Sequence, residues 1–455
     1  MENVKKNGRL VALENGDLSE NFNTVQKVFL GLQNTLGMCG VILVPILCGL
    51  DVSVTLFCAG VGTLIYQFID KRMVPAFLGG SFAIIAPVTT VIKEMGLPYA
   101  QIGIVAMAVF YFLFALLLKL VGKERVHQIF PPIIVGPIIM VLGLSLASVG
   151  VEEAVQNWPV AIITFLIAVC VNCFAKGLTN VLTIVIALVG GYIVAIPFGL
   201  VDFQPVLDAA WFGVPNFTLP SFSLDENWWR AVLLIMPAAI VPCLEHIGDV
   251  MAVGTTVGKD FTENPGLSRS VFACGVSTTL SGLLGGPSLT IHSENTGVLV
   301  LSRVYDPRVI RLAAIYALVL SFSPKFAALI SAMPAATMGG VSLVLYGMIS
   351  AVGVRNVVEN RVDFTSSRNV IIAALILVLS IGIAFSAAGA VAFQVGSATI
   401  SLSGLAVAAL TGILLNAILP GKDYEFVQED KGSTSVDFKA VSYTHLRAHE
   451  TGAYL

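Results

Sequence analysis

Long apolar runs alternate with short polar stretches along almost the whole chain. The runs begin near residues 26, 53, 75, 99, 129, 158, 178, 229, 268, 289, 308, 335, 368 and 397. A helix needs roughly 20 apolar residues to cross the hydrocarbon core of a bilayer. The pattern therefore predicts an all-α polytopic membrane protein with about fourteen spans, some shortened or broken by Gly and Pro. The widest polar gap, 201–228, holds Asp202, Asp208, Asp225 and Glu226, with Trp211, Trp228 and Trp229 suited to a membrane interface.

The loop charges give an orientation. Alternate loops carry Lys71 and Arg72, Lys123 and Arg125, Lys176, Lys259 and Arg269, Arg308 and Arg311, and Arg355, Arg361 and Arg368. The opposite loops carry Asp51, Glu152, Glu153, the acidic 201–228 segment and the segment near 388–396, with Lys93 as the exception. Basic loops stay in the cytoplasm. Both termini are then cytoplasmic, which requires an even number of spans.

Composition narrows the class. The 455 residues are 56% hydrophobic and 12% charged, with net charge -3. Soluble domains carry about 25% charged residues, and no basic run points to nucleic acid. The polar start, MENVKKNGRLVALENGDLSENFN, does not read as a cleavable signal. The cysteines sit in apolar runs; Cys170 and Cys173 form a lone CxxC without a second pair, so no metal or cofactor is expected. Residues 441–455, ending VSYTHLRAHETGAYL, read as a non-native adapter tail, with the true C-terminus missing.

Two segments break the helical pattern at matching places. Gly79-Gly80-Ser81-Phe82-Ala83-Ile84-Ile85-Ala86-Pro87 lies in the third span, and Gly285-Gly286-Pro287-Ser288-Leu289-Thr290-Ile291-His292-Ser293-Glu294 in the tenth. Each is a Gly-Gly, a short β-prone stretch and a new helical start, third in a block of seven spans. An odd block inverts its repeat, and paired breaks of this kind point to a transporter binding site. Gly-Gly by itself signals no more than helix packing.

A carboxylate at bilayer depth costs at least about 2.5–3.5 kcal/mol. Glu245 and Asp249 stand one turn apart in VPCLEHIGDVMAVG, and Glu294 opens the second half of the tenth span. The plain reading is a set of structural hydrogen bonds between helices. The functional reading joins half-helix N–H donors near Ser81–Phe82 and Ser293–Glu294 to carboxylate acceptors. Donors for C=O beside acceptors for N–H suit the edge of a lactam base, whereas two acids repel a simple anion. No HExxH or GxSxG spacing supports an enzyme. Lys325 is read as snorkelling or structurally paired.

The stretch SENTGVLVLSR resembles the signature of the nucleobase–ascorbate transporter family, with Glu294, Asn295, Gly297 and Arg303 matching and Ser302 in place of the usual Thr. LEHIGDVMAVGTTVGKDFTENPGLSRS, PAFLGGSFAIIAP and MPAATMGGVSLVLYGMISAVGVR are similar to further stretches of that family, over roughly residues 25–420. Within that family the chain resembles the bacterial uracil permeases. The resemblance implies a seven-plus-seven inverted fold, with short strands in spans three and ten. A core domain (26–125 and 229–332) would move against a gate domain (126–200 and 333–420), flanked by tails 1–25 and 421–455 and the loop 201–228. Glu245 and Glu294 would bind substrate, helped by Phe82 and the Ser293–Glu294 amides.

The implied activity is import of a nucleobase, uracil first, by proton symport across a bacterial inner membrane. Glu245 and Asp249 would couple the proton. Membrane lipid is the other expected partner, and a homodimer is compatible with this reading. Three departures bear on substrate. Asp249 stands where uracil permeases carry His and purine carriers Asp, Glu294 stands where purine carriers carry Gln, and Asn34 replaces a family histidine. A xanthine or purine symporter is the alternative, and an anion exchanger or channel of related architecture a further one.

Overall fold

The computed structural model describes residues 39–122, 128–175, 183–291, 304–386, 389–395 and 398–421, and also residues 23, 27, 30–32, 34, 35 and 125. Its elements, in chain order, are α1 Cys39–Cys48, α2 Val52–Ile69, β1 Leu78–Gly80, α3 Ile85–Met95, α4 Leu97–Val121, α5 Pro132–Ala154, α6 Trp158–Phe174, α7 Thr183–Ala195, α8 Gln204–Asp208, α9 Glu226–Ile235, α10 Ile240–Val257, α11 Leu267–Leu284, β2 Leu289–Ile291, α12 Pro307–Ser321, α13 Pro324–Ser331, α14 Ala335–Glu359, α15 Ser367–Ala384, β3 Ala390–Val395, β4 Ala398–Ser403 and α16 Gly404–Ile418. Helices dominate because a bilayer offers no water to backbone polar groups, which must pair within their own segment.

Among the described residues six helices are long and apolar enough to cross a membrane, or seven if α12 and α13, bent by 89°, count as one span. One of the six is the 43-residue run Pro132–Phe174. Drawn straight it would reach about 65 Å, twice the hydrocarbon thickness. It is instead divided at Asn157, whose extended backbone and side chain cap α6 by accepting from the Val160 N–H. Acids that the sequence assigns to loops serve as caps too: Asp51 accepts from Val54 N at 2.9 Å and Asp225 from Trp228 N at 2.9 Å.

The surface is apolar as well as the core. Leu113, Leu116, Leu117 and Leu120 form an exposed stripe along α4, at the i, i+3, i+4, i+7 spacing of one helix face. Such a stripe suits lipid and would be an aggregation liability in water. α11 turns its hydroxyls inward instead, with Ser270, Ser277, Thr278 and Ser281 all buried.

The helices pack as two sets. α11 lies against α2 and α4, and α12 against α2; separately, α14 runs along α5 and α6, with α7, α15 and α16 around them. α10 touches α4 and α11 of the first set and α5 and α16 of the second. Glycine permits the closest crossing. A Cβ on Gly143 of α5 would meet the Tyr346 carbonyl, and one on Gly353 of α14 the Gly136 carbonyl and Met140 amide. Small residues of this kind let membrane helices approach backbone to backbone.

Two expectations need correction. In the third span Gly79 and Gly80 belong to the strand itself and do not precede it. A side chain at Gly80 would collide with Val44 and Pro287, so only glycine lets β1 pass there. The last apolar run also begins later. From Ala390 to Ser403 the chain forms the hairpin β3–β4, in the register Ala390↔Ser403 to Val395↔Ala398, and a helix starts only at Gly404. The alternation Thr399-Ile400-Ser401-Leu402-Ser403 has the two-residue period of a strand. Lys325 reaches the Leu207 carbonyl at 3.4 Å and lies 5.0 Å from the Trp211 ring centroid, anchoring the 201–228 segment.

Gly143→Leu should wedge α5 from α14, at a cost of about 1–3 kcal/mol or more for overpacking. Gly347→Leu adds the same atoms on α14 where nothing lies within 4 Å and should leave stability unchanged. Thermal unfolding of the detergent-solubilised variants checks the contrast.

Candidate functional site

The two broken segments meet. β1 and β2 pair antiparallel, with Leu78 opposite Ile291, Gly79 opposite Thr290 and Gly80 opposite Leu289. One more bond extends the ladder, from Ser81 N to the Ser288 carbonyl at 2.9 Å. Hydroxyls from neighbouring helices take the outer edges. Thr63 of α2 accepts from Leu78 N at 2.9 Å. Thr278 of α11 accepts from Leu289 N at 3.0 Å and donates to the Leu289 carbonyl at 3.2 Å. Ser281 donates to the Pro287 carbonyl at 2.6 Å. Strand backbone at membrane depth is tolerable only when satisfied by protein in this way.

Ser81 follows β1 and caps the 3-10 turn Phe82–Ile84, its hydroxyl accepting from Ala83 N at 3.3 Å. Both polar groups of Ser81 thus serve the break itself in this structure. Phe82 is buried, and its ring meets Tyr346 of α14 edge-on, with centroids 6.3 Å apart. That contact joins a broken span of the first helix set to the second set.

α10 carries Glu245 and Asp249, both buried and one turn apart, and packs against β2. Tyr111 of α4 is fully buried, with Ser288 and Glu245 among the polar groups near it. His246 faces another way. Its Nε2 lies 2.8 Å from Ser270 Oγ and its Nδ1 3.5 Å from Cys274 Sγ, on α11. The structure therefore places Glu245 and Asp249 on a helix packed against β2, and Ser81 and Phe82 just after β1, the strand paired with it. Ser293, Glu294, Asn295, Gly297, Ser302 and Arg303, with His292, lie outside the described residues; β2 ends at Ile291, just before them.

Thr278, Tyr111 and Tyr346 were not singled out from the sequence. Thr278 had a visible signal, the hydroxyl run Ser277-Thr278-Thr279 inside an apolar span. The tyrosines had none, since an aromatic in a membrane helix is ordinary core.

Buried acids on a helix laid against a pair of strands from distant parts of the chain, within a body faced by apolar side chains, define a multi-pass membrane protein of the transporter type. A family model described as "Permease family" matches residues 25–389. The uracil permease of Bacillus subtilis is 40% identical over 408 residues, 86% of this chain and 92% of the relative. That of Escherichia coli K12 is 36% identical over 413 residues, 88% and 93%. The transmembrane domain of the cyanobacterial bicarbonate transporter BicA superposes with TM-score 0.55 at 15% identity, covering 87% of this chain and 98% of that one, a likeness of fold alone. The chain belongs to this permease family, the nucleobase–ascorbate transporters.

Thr278→Val keeps the shape but leaves the Leu289 N–H and C=O without their hydroxyl. Each buried group so stranded costs about 1–3 kcal/mol. The melting temperature should fall, and Thr278→Ser should restore most of it.

Proposed function

We propose that this protein imports uracil with a proton across a bacterial inner membrane by alternating access. The observation that carries the reading is the β1–β2 pair closed by two distant breaks, with Glu245 buried on the helix packed against it. About fourteen spans in a seven-plus-seven inverted repeat would put both breaks at mid-membrane, with basic loops and both termini cytoplasmic. The set built on α2, α4, α11 and α12 acts as the core and the set built on α5, α6, α14 and α15 as the gate, sliding along the seam where Phe82 meets Tyr346. Membrane lipid surrounds both, and a homodimer is compatible with this arrangement.

Substrate lies between the breaks. Glu245 and Glu294 accept from the ring N–H groups, while amides at Phe82 and Ser293–Glu294 donate to carbonyls; Ser81 positions its break. Two acids one turn apart in a low-dielectric site repel, so Glu245 and Asp249 titrate as a pair, and a protonated member donates where an ionised one only accepts. Proton entry with a neutral base adds about 2.3 kcal/mol per 100 mV of membrane potential. Asp249, placed where purine carriers have Asp, supports xanthine as a second substrate reading. An anion exchanger fits poorly with two buried acids beside the strands.

Labelled uracil should accumulate in proteoliposomes under an inward proton gradient, with xanthine, hypoxanthine and urate as competitors. Accumulation that survives a protonophore, or that sodium alone drives, would sink the symport reading. Glu245→Gln should abolish uptake, and Asp249→Asn should weaken coupling while leaving some binding. Glu294→Gln should lower uracil affinity by roughly tenfold to 150-fold, the cost of mispairing one buried polar group.

A further inference from the structure

A second buried polar system leads from the site helix to one end of the molecule. Asp70 caps the end of α2, where the chain turns into exposed Lys71 and Arg72, yet Asp70 itself is fully buried. One turn earlier, Tyr66 is also fully buried, and its hydroxyl is 2.7 Å from Ser270 Oγ. Ser270 is 2.8 Å from His246 Nε2, and His246 Nδ1 is 3.5 Å from Cys274 Sγ. Cys274 is in turn a neighbour of Tyr111, which also neighbours Glu245. Phenol, hydroxyl and imidazole each accept a proton on one side while releasing one on the other. A row of such groups, wholly removed from water, is costly unless paired. The pairing here runs lengthwise, from α2 through α11 to α10.

We propose that Asp70, Tyr66, Ser270 and His246 form a proton-exchange path between the basic end of the molecule and the region of Glu245, continued by Tyr111. This rests on the symport reading above and names the route by which the carried proton leaves to the cytoplasm. The proton passes from His246 Nε2 to Ser270 Oγ, whose own proton moves to the Tyr66 oxygen, whose proton in turn moves to the Asp70 carboxylate. His246 is reloaded at Nδ1 from the Glu245 side by way of Cys274 and Tyr111, so each group ends with the number of protons it began with, and Asp70 releases one to water at the exposed Lys71–Arg72 turn. Asp70 suits the outlet. The groups that act on it are Tyr66 and the Val74 backbone, Arg269 of α11, and Lys71. Burial outweighs them and pushes its carboxyl up to about 8, so it loads and unloads near physiological pH.

Tyr66→Phe keeps the ring edge-on to His246, with centroids 6.4 Å apart, and removes only the relay oxygen. Proteoliposomes loaded with a pH-sensitive dye report uracil-driven proton entry, and uracil counterflow reports carrier movement without net proton release. Tyr66→Phe and Ser270→Ala should slow proton entry by roughly a hundredfold, the low end of a positioned proton-transfer group, while counterflow continues at the parental rate. In the parent, proton entry should rise as the internal pH passes about 8 and Asp70 unloads; Asp70→Asn should remove that limb. Parental proton entry in all three variants overturns the path and leaves symport intact. Loss of counterflow together with proton entry would mean the hydroxyls are structural and also overturns it. A parent that moves no protons with uracil overturns both readings.

Discussion

The architecture depends on one requirement of backbone chemistry. Two stretches of non-helical chain lie inside a body whose surface faces lipid, and every N–H and C=O they expose must find a partner within the protein. β1 and β2 satisfy each other along one edge, and threonine and serine hydroxyls from α2 and α11 satisfy the other. Glycines follow from the same requirement. Gly80 passes between Val44 and Pro287, where a methyl group would hold the strands apart. The inward hydroxyl face of α11 and its outward-facing apolar neighbours are then two sides of one solution.

Pairing the breaks also fixes where chemistry can occur. β1 runs into the 3-10 turn Phe82–Ile84, and its partner β2 packs against the helix that carries two buried acids, a juxtaposition that no single helix could supply. α10 is the third contributor. It lies against β2 and touches both helix sets, so under the proposed mechanism a change of protonation on its acids would act at the seam between them. Phe82 against Tyr346 is the aromatic part of that seam.

Much of this was legible in the chain. The membrane class and the buried acids Glu245 and Asp249 follow from hydropathy and from the cost of a charge in hydrocarbon. The matched breaks were visible because glycine and proline interrupt otherwise helical runs at like places. The partners of the breaks were not. Thr63 and Thr278 find their strands through tertiary contact, and no local pattern distinguishes them from hydroxyls that bond back to their own helix, as Thr279 does to the Gly275 carbonyl. The β3–β4 hairpin was missed for a related reason: a short apolar run is ambiguous between strand and helix until its two-residue period is weighed. The row from Asp70 to His246 crosses three helices that are far apart in sequence, so periodicity within any one of them cannot reveal it.

The register of the strand pair sets a condition on biogenesis. Leu78 and Ile291 are partners, and at ordinary synthesis rates the ribosome takes roughly 10–40 s to travel between them. For that interval the first break sits in the membrane with one edge open. Thr63, already inserted, holds the Leu78 amide, but nothing yet made can pair with the other side. The nascent chain must therefore wait in a half-built state shielded by the insertion machinery or by water, and the two halves cannot mature independently. A break that serves transport in the finished protein is, during synthesis, an edge that stays open until the second half of the chain has begun to enter the membrane.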